Sequence, residues 1–107
     1  MIESRFIYHI VLKADWEQQI ALLEYTAASL NTEGFIHASR LEQIAATLNR
    51  FFASEMENVV ILKIDTTILL PKLVYEPAGD ELFPPIFGGI NKNSVVEILG
   101  EEFIRNL

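Results

Sequence analysis

Two histidines carry most of the chemistry open to this chain, and one of them stands in a telling place. His37 lies in the short apolar run Gly34-Phe35-Ile36-His37-Ala38-Ser39. The run breaks at Ser39, and Ser39-Arg40-Leu41-Glu42 reads S-x-x-E, the pattern of a capping box that opens a helix. A helix start offers unpaired backbone N–H groups and a partial positive charge, which suit phosphate or carboxylate. A titratable imidazole beside such a cradle is a candidate for binding or proton transfer. His37, Ser39 and Arg40 therefore form one candidate site. Ser39 also has a purely structural account, since a capping serine contributes about 1 kcal/mol and needs no ligand.

His9 sits in the middle of the apolar run Phe6–Leu12. Its plain account is a partly buried imidazole bonded to backbone. Its functional account needs His37 as a neighbour, with both rings holding an anion while protonated. Two histidines make a poor metal site, because they lack H-x-x-x-H spacing and no motif places a carboxylate beside them. No metal is expected. Glu76 ends an apolar stretch just before Pro77. There a carboxylate could act as a base or accept bonds from ribose hydroxyls. Asn49 and Arg50 lie on a predicted helix, where Arg50 could pair with phosphate or simply face water. The chain has no G-x-S-x-G, no G-x-G-x-x-G and no Walker loop, and Gly88-Gly89 reads as a turn.

The elements that must position these groups follow from periodicity. Residues 6–12 read as a strand, with Ile7, His9 and Val11 on one face and Tyr8, Ile10 and Leu12 on the other. Asp15, Trp16, Ile20 and Leu23 predict a helix over 15–25 that is capped by Asp15. Residues 26–34 read as a loop and 35–38 as a short strand. A helix is expected over 40–53, with Leu41, Ile44, Ala45, Leu48 and Phe52 on one face. Strands are expected at 58–64, 72–76 and 93–99, with turns at 65–67 and 78–80. Residues 82–89 (LFPPIFGG) read as an apolar loop, since paired prolines and glycines oppose a regular element. Residues 101–107 form a short helix or a tail. The order β-α-β-α followed by strands predicts an α+β domain over residues 1–107.

Composition narrows the function classes. Half of the 107 residues are apolar, enough for a core in one domain. Fifteen acids against eight bases give a net charge of −7, which opposes non-specific binding to nucleic acid or anionic lipid. The chain has no cysteine, so disulfides and thiolate chemistry are excluded. No apolar run approaches the roughly 20 residues needed to cross a bilayer. Met1–Arg5 lacks the start of a signal peptide, and a cytoplasmic protein is expected, monomeric or homodimeric.

Taken together, these residues resemble a bacterial family, domain-of-unknown-function family 952. The likeness runs through Tyr8-His9-Ile10-Val11, Asp15-Trp16 and Gly34-Phe35-Ile36-His37-Ala38-Ser39. It continues through Asn49-Arg50-Phe51-Phe52, Val59–Ile64, Tyr75-Glu76-Pro77 and Leu82-Phe83-Pro84, so it covers roughly residues 6–99. That family in turn resembles the ADP-ribosyltransferase fold, which implies a small split β-sheet with two main helices and a cleft for NAD or an ADP-ribose compound. By this resemblance His9, His37 and Glu76 would be catalytic. Ser39, Arg40, Asn49, Phe83 and Phe87 would contact the nucleotide. The chain departs from the family pattern F-P-H-[LI]-Y, which here reads Phe83-Pro84-Pro85-Ile86-Phe87. The loop histidine and tyrosine hydroxyl are thus lost. A non-catalytic small-ligand or protein-interaction module is the alternative implied by that loss.

Overall fold

The computed structural model describes residues 4–107, so the signal-peptide reading at Met1–Arg5 lies partly outside it. The order is β1 (Phe6–Leu12), α1 (Lys13–Gln18), β2 (Glu24–Tyr25), α2 (Ala28–Thr32), a 3₁₀ turn (Leu41–Gln43), α3 (Ile44–Phe51) and a 3₁₀ turn (Met56–Asn58). Then come β3 (Val59–Asp65), β4 (Lys72–Leu73), β5 (Glu76–Ala78), β6 (Glu81–Phe83), β7 (Ile86–Phe87) and β8 (Ile90–Asn91). A 3₁₀ turn (Lys92–Ser94), β9 (Val95–Leu99) and α4 (Glu101–Arg105) complete the chain. This is an α+β fold of several small antiparallel sheets and short helices. In place of two main helices there are four short ones among the described residues, and α3 is the longest at eight residues.

The central sheet is antiparallel with order β1-β3-β9, and Ile7 pairs with Ile64, His9 with Leu62 and Val11 with Val60. Alternation sends successive side chains of β1 to opposite faces. Ile7 and Val11 join Leu62, Ile64, Ile36, Ile86, Ile90, Trp16 and Tyr25 on one side. Tyr8 and Ile10 join Ile61, Val59, Ile44 and Leu48 on the other. Each fully buried Ile or Leu here contributes roughly 1.5–3 kcal/mol of transfer free energy. The smaller pairs β2-β8, β4-β7 and β5-β6 lie outside this sheet. Among the described residues no helix is long and apolar enough to cross a membrane.

Several local expectations are corrected. The first helix spans 13–18, with Leu12 at the N-cap position and Asp15 inside the first turn. It stops because Gln19 folds back on Thr26, its Nε2 donating to the Thr26 carbonyl and its Oε1 accepting the Thr26 N–H, both at 2.9 Å. Residues 24–25 then pair with Asn91 and Ile90 as a strand. The expected 26–34 loop contains α2, which Gly34 ends at φ +87 before Phe35 turns inward. Leu41 and Ala45 point to solvent, because the helix opens as a 3₁₀ turn. That tighter winding shifts the phase and buries Gln43 instead. The stretch 82–89 is not a loop throughout: β6 and β7 flank Pro84 and Pro85.

Candidate functional site

One cavity of about 600 Å³ collects most of the residues singled out by sequence. Its floor is β1 at Tyr8–Ile10 together with residues 35–39. One wall is the face of α3 and its leading turn that carries Gln43, Ala46, Thr47, Arg50 and Phe51, spaced by three and four. The roof is the hairpin β5-β6. Glu76 pairs with Phe83 and Ala78 with Glu81, so these four share one hairpin face. All four line the cavity. Gly79 makes the turn at φ +67, a conformation that costs glycine little.

The hairpin is tied to the helix start by one buried amide. Gln43 Oε1 accepts the Arg40 N–H at 2.8 Å. Its Nε2 donates to the Leu82 carbonyl at 2.9 Å and reaches Glu81 Oε1 at 3.3 Å. Arg40 Nε adds a bond to the Leu82 carbonyl at 3.2 Å. Thus Arg40 and Gln43, not Ser39 and Glu42, hold the helix start. Ser39 instead pairs with β1, exchanging backbone bonds with Tyr8 at 2.7 and 2.8 Å. Its hydroxyl lies 3.5 Å from Thr47 Oγ1.

His9 is almost fully buried in the floor, and both its nitrogens are occupied. Nδ1 lies 2.6 Å from the His37 carbonyl and Nε2 lies 3.0 Å from the Tyr25 hydroxyl. A carbonyl only accepts, so Nδ1 carries the proton and Nε2 accepts from Tyr25. Burial holds the ring's pKa down to about 4, against a partial upward pull from the His37 carbonyl and with a further downward push from the His37 side chain. Burial likewise raises the Tyr25 phenol, helped by nearby Asp15. His9 is a neutral strut between β1, residue 37 and β2. The His37 ring is exposed, 3.2 Å from Glu33 Oε2 and edge-on to Phe35 at 4.9 Å.

The strand edge beside His9 has free backbone groups. Tyr8 spends both of its main-chain bonds on Ser39, off the outer edge of β1. Alternation turns the N–H and C=O of Ile10 the same way. The partner segment does not extend that far. Among the described residues neither group of Ile10 has a protein partner. Ile10 is nonetheless mostly buried and lines the cavity.

Residues 10–98 match the family described as a protein of unknown function (DUF952). The chain belongs to the DUF952 family. The fold is also that of solved structures. The crystal structure of protein CC0527 from Caulobacter crescentus shares 27% identity, with 87% of this chain and 82% of that one covered at a TM-score of 0.78. The solution NMR structure of CC0527 shares 27% identity, covers 89% and 83%, and has a TM-score of 0.74. No curated protein matches the chain.

In this DUF952 chain, then, His9, His37, Ser39, Glu76 and Phe83 share one cavity. Three other candidates do not line it. Asn49 lies one helical position off, and Arg50 takes the cavity face in its place. Arg40 is spent on the Leu82 carbonyl and an ion pair with Glu42. Phe87 packs on Phe35 at 5.7 Å instead. Pro85 is on the cavity wall. Arg50 is its one arginine or lysine and has no ion pair among the described residues. Glu76 and Glu81 are the carboxylates. Sequence reading missed Gln43 and the Ile10 edge. The R-x-x-Q overlapping S-x-x-E was a signal for the first, and an edge strand leaves none in sequence.

Proposed function

We propose that this DUF952 protein binds NAD or a related ADP-ribose compound in the cavity, and acts on it as an ADP-ribosyltransferase-like transferase. One observation carries the reading. Residues from β1, the 35–39 segment, α3 and the β5-β6 hairpin surround one space, and an unpaired Arg50 stands among aromatic side chains. Phe35, Phe51, Phe52 and Phe83 offer faces for a planar base, and Arg50 offers a fork for phosphate. The open N–H and C=O of Ile10 complement an amide, which donates and accepts side by side. NAD carries such a group in its nicotinamide. Glu76 would orient a ribose hydroxyl and steady positive charge at the anomeric carbon as nicotinamide leaves with the bonding pair, after which an acceptor hydroxyl or amine bonds to that carbon and gives its proton to solvent. The likeness to the ADP-ribosyltransferase fold belongs to this proposal.

Calorimetric titration with NAD and ADP-ribose tests it. Saturable heat is expected, and Arg50→Ala should weaken binding by roughly ten- to a hundred-fold, the loss of one charge-assisted contact. No heat at millimolar ligand would end the reading. A second reading is binding without turnover. It is favoured by Pro85, which brings no donor to the cavity wall, and by His9, whose nitrogens are both engaged. Under that reading NAD binds, no nicotinamide is released, and Glu76→Gln changes nothing.

A further inference from the structure

A second cavity of about 350 Å³ lies along the same edge of β1. It shares His9, Ile10 and Phe52 with the first, so the two adjoin along β1 beside Ile10. The far side is built by α1 and residues 25–28. Its polar groups differ in kind from those of the first cavity. Asp15 is the one formally charged side chain on its wall, and it has no ion pair among the described residues. Gln19 is spent on Thr26 through both ends of its amide, and Tyr25 donates to His9. What remains available is an acceptor, the Asp15 carboxylate. The one available cation of the pair of cavities, Arg50, stands in the first.

The geometry points to a second binding subsite here, continuous with the first and specific for an amine- or hydroxyl-bearing group. A ligand filling both would place its anion at Arg50 and its donor-rich end at Asp15, and would cross the Ile10 edge between them. This deepens the nucleotide reading and rests on it for the identity of the first half. The second subsite itself rests on Asp15, Ile10 and the shared walls. Charge sets the polarity: an anionic end would meet the Asp15 carboxylate unfavourably, so the ligand binds in one direction only.

The test is amide-resolved NMR on the intact chain, with ethanolamine and ADP-ribose titrated separately into the wild type and Asp15→Asn. Ethanolamine is expected to shift the Asp15, Thr26 and Ala27 amides saturably, and Asp15→Asn should weaken that response about ten-fold, as for one charged hydrogen bond. ADP-ribose should shift those amides together with those of Arg50 and Glu76. Asp15 is exposed in a first helical turn, so the variant keeps the fold, and an unchanged thermal midpoint verifies this. An ethanolamine response without any ADP-ribose response would keep the second subsite and remove the nucleotide reading. ADP-ribose shifts confined to the Arg50 side, or ethanolamine shifts that survive Asp15→Asn, would overturn the second subsite.

Discussion

The floor and the roof of the main cavity are built on opposite principles. The floor around His9 is buried and its imidazole is fully bonded, held by the His37 carbonyl and the Tyr25 hydroxyl, while the Ile10 backbone beside it stays open. The roof is a hairpin of three-residue strands, exposed from Glu76 to Glu81 and joined to the body through Gln43 and Arg40. Buried polar groups hold a geometry only when all are satisfied, and that constraint leaves them little freedom to react. Exposed carboxylates keep their charge and their freedom at little cost. The floor therefore fixes shape while the roof and α3 supply charge. Histidine, the residue type that most invites a catalytic reading, is here in part a structural one.

The strongest way to break this contrast is to empty the floor. His9→Ala removes two hydrogen bonds and leaves the buried Tyr25 hydroxyl and the part-buried His37 carbonyl without partners. A loss of roughly 3–5 kcal/mol is expected from the unpaired groups and the void together. Urea denaturation measures it, and a loss under about 1 kcal/mol would mean that the strut is dispensable.

Acid should attack the same point without a mutation. The folded ring stays neutral down to about pH 4, while the unfolded ring takes its proton near 6.5. Between those values the unfolded chain binds more protons, so stability is complete above pH 6.5 and declines as pH falls toward 4. Below 4 both states are protonated at this residue and its contribution stops changing. The total is on the order of 3 kcal/mol, and it should vanish in His9→Gln. Thermal midpoints across pH 4–7 for both proteins give the comparison. Equal slopes would show that other groups carry the acid response.

The roof should respond more gently. Gln43→Ala cuts the amide link to Leu82 and frees the Arg40 N–H, at a cost of about 1–2 kcal/mol. Hydrogen exchange should then quicken across residues 76–83 and remain slow in β1 and β3. Faster exchange in the floor as well would erase the distinction between the two regions.

The sequence exposed the floor better than the roof, for a physical reason. Phe6–Leu12 and Val59–Asp65 are strands built mostly of apolar residues, and their burial on two faces is written in the residues themselves. The strands within 76–83 are three residues each and exposed, and a glutamine from the turn before α3 bonds one of them at Leu82. Ser39 and Gln43 show the same limit. S-x-x-E and R-x-x-Q are offset by one residue, and tertiary pairing of Ser39 with Tyr8 decides which of them serves the helix. The one-residue difference between Asn49 and Arg50 has its source in the 3₁₀ turn, which sets the rotation of everything after it. Tyr25 was read as helix because its strand partner, Ile90, lies far along the chain.

That last pairing has a consequence for how the protein is made. Tyr25 leaves the ribosome long before Ile90, and at roughly 5–20 residues per second the interval is on the order of several seconds. Until then Tyr25 lacks its strand partner, and the nascent chain holds an unfinished floor. The finished cavity floor is a late product of synthesis, braced by a residue, Ile90, that does not line the main cavity.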